Sequence, residues 1–371
     1  MSNPRIIISG GGTGGHIFPA LSIADSIKAI EPSAEILFVG AEGRMEMERV
    51  PAAGYPIKGL PVAGLKRKLS LENLALPFKV LKSIRLAGRI IKEFKPDVAV
   101  GVGGYASAPM LWAAGRHGIP TLIQEQNSYA GLTNKILGKR ARKICVAYEG
   151  MERFFPAERI MLTGNPIRKN INRPTPQERE EGFRYFGLDP QKKTLFVVGG
   201  SLGSATLNSA MKRWVDEKGA KAPYQVIWQS GRYYKSGIDK FLADRELPNV
   251  RNYDFISHMD LAFAVADVII SRAGAGTISE LCVAGKATIF VPSPNVTEDH
   301  QTHNAMALVR KDAALMVADC EAVEKLMDTA EELLGDDARI ARLEENILAL
   351  ARKDAGEVIA REVLALVNDR K

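Results

Sequence analysis

The sequence predicts an α/β protein made of two doubly wound, Rossmann-like domains that face each other across a cleft. Three observations carry that reading. The chain is 371 residues long, more than one hydrophobic core ordinarily serves. Short apolar runs alternate with helical patterns along its length, the signature of βαβ units around a parallel sheet. The same grammar of apolar strand, glycine turn and helix is also written twice, at "IIISGGGTGGHIFPALSIAD" (residues 6–25) and at "TLFVVGGSLGSATLNSAM" (residues 194–211).

In the first half, Ile6 to Ile8 reads as a buried parallel strand, followed by five glycines in six positions. Phe18, Leu21, Ile23, Ala24 and Ile27 then recur at helical spacing behind Pro19, a residue favoured near a helix start. Further strands are expected at 35–39, 98–102, 121–123, 143–147 and 160–162. After a proline-rich stretch, Asn165 to Pro176, the pattern restarts, with strands expected at 225–228, 250–253, 268–270 and 287–291 after the second glycine turn. This gives domains at 1–165 and 166–353. A last helix from about residue 354 carries an apolar stripe (Val358, Ile359, Val363, Leu364, Leu366) that needs burial, and it is expected to cross back onto the first domain.

Composition excludes several classes. Apolar residues make up 46% of the chain and charged residues 25%, as in soluble globular proteins. The uncharged stretch Val98 to Gly115 is near membrane-span length, but Gly101, Gly103, Gly104 and Pro109 cut it into strand, turn and helix. Met1 to Arg5 is too short to hold a signal peptide ahead of Ile6. Cys145, Cys282 and Cys320 are odd in number and lack a C-x-x-C, which predicts reduced thiols in or near the core of a cytosolic protein. Charge is uneven: residues 1–160 hold 22 Lys and Arg against 13 Asp and Glu, and the remainder 28 against 30. The first half carries the basic surface.

Gly10, Gly12 and Gly15 satisfy G-x-G-x-x-G, in which missing side chains let backbone N–H groups approach a negative charge. A dinucleotide site would end its second strand in Asp or Glu, about 20 residues beyond the glycines. Here "EILFVG" ends in Val39-Gly40 with Glu42 displaced, which argues against nicotinamide chemistry. "SRAGAGTISEL" (residues 271–281) is another strand-to-helix turn, and its first helical residues, Ala275, Gly276, Thr277, Ile278 and Ser279, suit a diphosphate. "DHQTHNA" brings Asp299, His300 and His303 together, but no third strong ligand accompanies the histidines and no D-x-D occurs, so no metal site is assigned. His16, at a helix N-terminus that disfavours imidazolium, is suited to act as a general base. Glu125, at the end of the strand "TLI", is its rival, or orients Asn127.

Seven segments in order, "GGTGGHIFPALSIA", "GVGGYASAP", "EQNSYAGLTNK", "TGNPIR", "GGSLGSATLN", "SRAGAGTISEL" and "DHQTHNA", span Gly11 to Ala305. Together they resemble the MurG-type glycosyltransferases. The resemblance implies a GT-B architecture without a cofactor. It also implies inverting transfer of N-acetylglucosamine from UDP-GlcNAc to the C4 hydroxyl of undecaprenyl-pyrophosphoryl-MurNAc-pentapeptide (lipid I), giving lipid II for the cell wall. It implies that Glu280 accepts the ribose hydroxyls, Arg168 and Ser201 address the diphosphate, the Ile256 backbone recognises uracil and Gln301 reaches the sugar hydroxyls. Thr13, Gly14, Gly15, His16 and Asn127 would meet the acceptor. One departure is Gln124, where the family often has His. A UDP-GlcNAc epimerase of the same fold is the alternative, and a binding module without turnover a third reading.

The implied partners are the nucleotide sugar, the lipid acceptor, other cell-wall synthesis proteins and an anionic membrane surface, with no nucleic acid. Residues 66–92 hold eight cations against one acid, Glu72. Leu74, Phe78, Leu81 and Ile84 fall at helical spacing among Lys79, Lys82 and Arg85. Composition alone favours a core helix with a solvated basic face, but an acceptor whose polyprenyl tail stays in the bilayer turns the expectation to peripheral attachment at the cytoplasmic face of the cell membrane.

Overall fold

The computed structural model describes residues 3–62, 76–200 and 202–369, with Leu76 and Pro77 described by backbone alone. Ser201 and Leu74 therefore lie outside the described residues, as do Lys66, Arg67, Lys68 and Glu72. The chain forms two compact units, residues 1–167 with 352–371, and residues 168–351.

The first unit is built on seven parallel strands, β1 (Arg5–Ser9), β2 (Glu35–Ala41), β3 (Ile57–Leu60), β4 (Val98–Gly101), β5 (Thr121–Glu125), β6 (Lys143–Val146) and β7 (Ile160–Leu162). Their order is β3-β2-β1-β4-β5-β6-β7. Side chains alternate between faces, and helices cover both. Ile6, Ile8, Phe38 and Val100 pack with Ile23 and Ile27 on one side, whereas Ile7, Val39, Ala99 and Ile123 pack with Ile91 and Met110 on the other.

The last helix, Ala355–Asn368, belongs to this unit. Ile359, Ala360 and Val363 are fully buried in the first of these clusters, each large aliphatic chain contributing about 1.5–3 kcal/mol. Gly356 admits the helix Gly14–Ile30 closely, since a Cβ there would lie 2.7 Å from Ser26 Oγ. Lys143 and Glu362 form an ion pair at 3.0 Å.

The second unit repeats the plan with six parallel strands, β8 (Thr194–Val198), β9 (Gln225–Gln229), β10 (Val250–Tyr253), β11 (Val268–Ser271), β12 (Thr288–Phe290) and β13 (Leu315–Met316). The order is β10-β9-β8-β11-β12-β13. Leu195, Val197, Trp228 and Ile270 meet Trp214 and Leu326 in its core.

Several expectations change. β3 and β13 are too short, at four and two residues, to show a period. The first helix begins at Gly14, so Pro19 lies inside it. Phe18 is 64% exposed rather than part of the buried stripe, because the stripe is set by Ile17, Ala20, Ala24 and Ile27 on the sheet side. Cys145 and Cys282 are buried but Cys320 is exposed, as it sits in the short 3-10 turn Asp319–Glu321 that leads into a helix. Among the described residues, no helix is long and apolar enough to cross a membrane.

Candidate active site

Doubly wound sheets bind ligands beyond the carboxyl ends of the strands where the order reverses. In the first unit that point lies between β1 and β4. The turn after β1 and the turn after β4 meet there, and only glycine permits the approach. Gly104 has φ +86°, and a Cβ on it would stand 2.3 Å from the Gly11 carbonyl oxygen. Gly103 has φ +90°, and its Cβ would stand 2.9 Å from the His16 ring. Ser107 ties the turns by donating to the Ser9 carbonyl at 2.7 Å.

His16 sits in the first turn of the helix Gly14–Ile30. Its Nδ1 lies 3.1 Å from the Gly11 carbonyl and 3.3 Å from Thr13 Oγ1. A carbonyl only accepts, so this contact assigns the proton of the neutral ring to Nδ1 and leaves the basic lone pair on Nε2. Thr13 is the N-cap residue, with extended backbone and no side-chain cap bond. Thr13 and Gly15 are exposed and Gly14 is half-buried.

Sequence reasoning missed Glu46. It is 1% exposed, and its carboxylate accepts from Gly12 N and Ala41 N at 2.9 Å each. An acid therefore does follow the second strand, but it binds the chain's own backbone. The available signal was an acid flanked by Met45 and Met47 at the start of a short helix, Glu46–Ala52.

Glu125 is 2% exposed. It accepts from Asn127 N at 3.0 Å, Asn127 Nδ2 at 3.3 Å, Gly131 N at 3.1 Å and Asn134 Nδ2 at 2.9 Å. Burial pushes its carboxyl above the usual range, against the lowering effect of these donors. Gln124 donates to Asn165 Oδ1 at 2.9 Å and accepts from Gln126, which also donates to the Val102 carbonyl at 2.8 Å. Gln124 thus belongs to a buried amide network.

In the second unit the order reverses between β8 and β11. Gly203, at φ +88°, packs against the turn after β9, where its Cβ would lie 2.1 Å from the Ser230 carbonyl oxygen. Gln229 bridges two loops, donating to the Gly200 carbonyl at 3.1 Å and accepting from Ile256 N at 2.9 Å. The Ile256 N–H is therefore engaged. The helix Ala275–Ala284 follows β11, with Gly274 as an extended N-cap residue, no acid in its first turn and no side-chain cap bond. That end presents positive potential.

Glu280, 9% exposed, lies in the middle of this helix. It forms a bidentate pair with Arg168, Nε to Oε1 and Nη2 to Oε2 at 2.7 Å each. The hydrogen bond to Glu280 raises the Arg168 guanidinium above its usual range, opposed by burial. Gln301 Oε1 accepts from Ala273 N at 3.2 Å and Ser293 N at 2.8 Å, so its amide nitrogen is the group directed at other partners. Glu298 and Asp299, just ahead of His300, both adopt left-handed backbone at φ +56° and +49°. His300 Nδ1 lies 2.8 Å from the Thr297 carbonyl.

The helix Leu76–Phe94 buries Ala87, Ile90 and Ile91. At its start the face is apolar and outward: Phe78 is 77%, Val80 41% and Leu81 46% exposed. Lys82 and Arg85 are exposed beside them and Lys79 is half-buried.

The glycosyltransferase family 28 N-terminal domain matches residues 6–146, and the family 28 C-terminal domain residues 194–359. A protein of Phocaeicola vulgatus is 59% identical over 99% of this chain and 97% of its own length. One of Parabacteroides distasonis is 55% identical over the full length of both. Each is named a UDP-N-acetylglucosamine--N-acetylmuramyl-(pentapeptide) pyrophosphoryl-undecaprenol N-acetylglucosamine transferase. The crystal structure of Acinetobacter baumannii MurG matches with a TM-score of 0.78 at 28% identity, covering 98% of this chain and 99% of that one. A Listeria monocytogenes structure titled a UDP-N-acetylglucosamine 2-epimerase, covering 99% of this chain and 96% of its own, matches at 0.67 with 12% identity, a likeness of fold alone. The two parallel-sheet units are those of the GT-B architecture, and the chain belongs to glycosyltransferase family 28, among its MurG-type N-acetylglucosamine transferases.

Proposed function

We propose that this protein transfers N-acetylglucosamine from UDP-GlcNAc to the C4 hydroxyl of lipid I with inversion, forming lipid II. The observation that carries this is the full-length similarity to transferases so named. The epimerase reading rests only on a shared fold.

In this reading, His16 Nε2 takes the proton of the C4 hydroxyl as its oxygen bonds to the anomeric carbon. The bond from that carbon to the β-phosphate oxygen breaks, and UDP leaves with the electron pair. Thr13, Gly14 and Gly15 line the acceptor beside the base. Glu125, saturated with donors, holds Asn127 toward the acceptor rather than taking a proton itself.

Charge developing on the departing diphosphate is met by the N-terminus of the helix Ala275–Ala284, by the second glycine turn with Ser201, and by Arg168. The Arg168–Glu280 pair is compatible with both partners' roles. A carboxylate has about four lone-pair sites and a guanidinium five N–H donors, so Glu280 retains acceptors for the ribose hydroxyls and Arg168 retains donors for phosphate. Gln301 offers its amide N–H to the sugar hydroxyls, and the Ile256 carbonyl is the backbone group left to read uracil. The basic, apolar start of the helix Leu76–Phe94 attaches the enzyme peripherally to the cytoplasmic leaflet, where the acceptor's polyprenyl chain resides.

Incubation with UDP-GlcNAc and a short-chain lipid I analogue tests the reading. Disaccharide product with stoichiometric UDP is expected. Conversion of UDP-GlcNAc to its C2 epimer without transfer would replace it with the epimerase.

A further inference from the structure

We infer that Glu46 is a positioning residue for the reaction, acting on His16 through a single peptide group. The inference deepens the function proposed above and rests on His16 as its base. Glu46 Oε2 accepts from Gly12 N at 2.9 Å, and His16 Nδ1 donates to the Gly11 carbonyl at 3.1 Å. The Gly11 carbonyl and the Gly12 N–H are the two ends of one peptide unit. A buried carboxylate therefore pulls on one end while the imidazole binds the other.

Hydrogen bonds in series polarise one another. The carboxylate, accepting the Gly12 N–H, drives amide electron density from nitrogen toward the Gly11 oxygen, which makes that oxygen a stronger acceptor for Nδ1–H. That contact orients the ring, holds the tautomer with its lone pair on Nε2, and stabilises the positive charge that forms when Nε2 takes a proton. The logic is that of a carboxylate behind a catalytic histidine, with a peptide group interposed.

The surroundings keep the unit in place. Glu46 Oε1 is anchored by Ala41 N at 2.9 Å. Gly11 is where a side chain would meet the carboxylate, its Cβ falling 2.2 Å from Glu46 Oε1. Gly104 stands against the Gly11 carbonyl from the opposite turn, leaving no room for a side chain there. The glycines thus serve the chain's own anion at this turn.

The test is a double-mutant cycle of Glu46→Gln with His16→Ala, read in the transfer assay and by nitrogen-15 NMR of the histidine rings at about pH 8.5, two units above an ordinary histidine. Glu46→Gln alone should lower kcat about 10- to 100-fold and leave the donor KM near wild type. It should also reduce the Nδ1–H tautomer of His16. In the His16→Ala background it should cost nothing further. Equal losses in both backgrounds, or a fall in activity with the tautomer unchanged, would make Glu46 purely structural and overturn the inference. Should the Gln variant fail to fold, Glu46→Asp, which keeps the charge with a shorter reach, is read by the same two criteria. If His16→Ala keeps its kcat, the base assignment fails, and the tautomer of His16 in Glu46→Gln still decides whether the coupling exists.

Discussion

The two glycine turns that open the two sheets share a grammar and differ in what supports them. At the first, a buried carboxylate, Glu46, accepts the Gly12 N–H. At the second, a neutral amide, Gln229, donates to the Gly200 carbonyl. Two unit charges 4 Å apart interact by about 4 kcal/mol at an effective dielectric of 20. An anion already lodged against the first turn therefore repels another brought to the same backbone. In the function proposed above, the first turn meets a neutral hydroxyl beside the base that deprotonates it. The second, with the acid-free N-terminus of the helix Ala275–Ala284 in the same unit, is electrically open to a diphosphate. A glycine fingerprint read without its neighbours does not distinguish the two.

The division of labour can be broken at its strongest point first. His16→Ala should lower kcat by about 100-fold or more with little change in donor KM, measured as initial rates of transfer. If Glu125→Ala gives the larger fall and His16→Ala a small one, the base lies at Glu125.

The next effect concerns the membrane. Reversing Lys79, Lys82 and Arg85 to Glu removes about 1 kcal/mol of attraction per cation before any repulsion is added. The folded variant should lose sedimentation with anionic liposomes and slow on lipid-embedded acceptor, yet keep its rate on a soluble short-chain analogue. Undiminished liposome binding would show that the cations are only a solvated face.

Glu280→Ala probes the second unit. It should cost about 1.5–3 kcal/mol in kcat/KM for the donor and leave acceptor KM unchanged. It also frees Arg168, so its effect exceeds that of the ribose contact alone. Unchanged donor kinetics would take Glu280 out of the site.

The smallest effect is on stability. Burial raises the Glu125 carboxyl in the folded state, so between its unfolded and folded pKa values the native state binds more protons than the unfolded one. Its contribution is then fully present below the unfolded value and declines as pH rises through the folded one. By denaturant unfolding across that acidic window, the stability of wild type relative to Glu125→Gln, which does not titrate, should fall as pH rises. A relative stability that rises with pH would mean that the four donors outweigh burial.

The sequence by itself determined most of the architecture. Runs such as Ile6–Ile8 and Thr194–Val198 between helical patterns are apolar on both faces, which only a doubly covered parallel strand tolerates. The stripe at Ile359 and Val363 called for a partner surface because its burial is worth more than its exposure. His16, Arg168 and Glu280 could be nominated because glycine turns and ordered motifs mark them locally. Only the tertiary structure decided what those residues touch: that Arg168 and Glu280 pair across 112 positions of chain, that the Ile256 N–H is taken by Gln229, and that Glu46 stands behind Gly12. Periodicity and turn chemistry are short-range and survive in a linear text. A hydrogen bond between distant side chains depends on where two separate strands end, which no local pattern records.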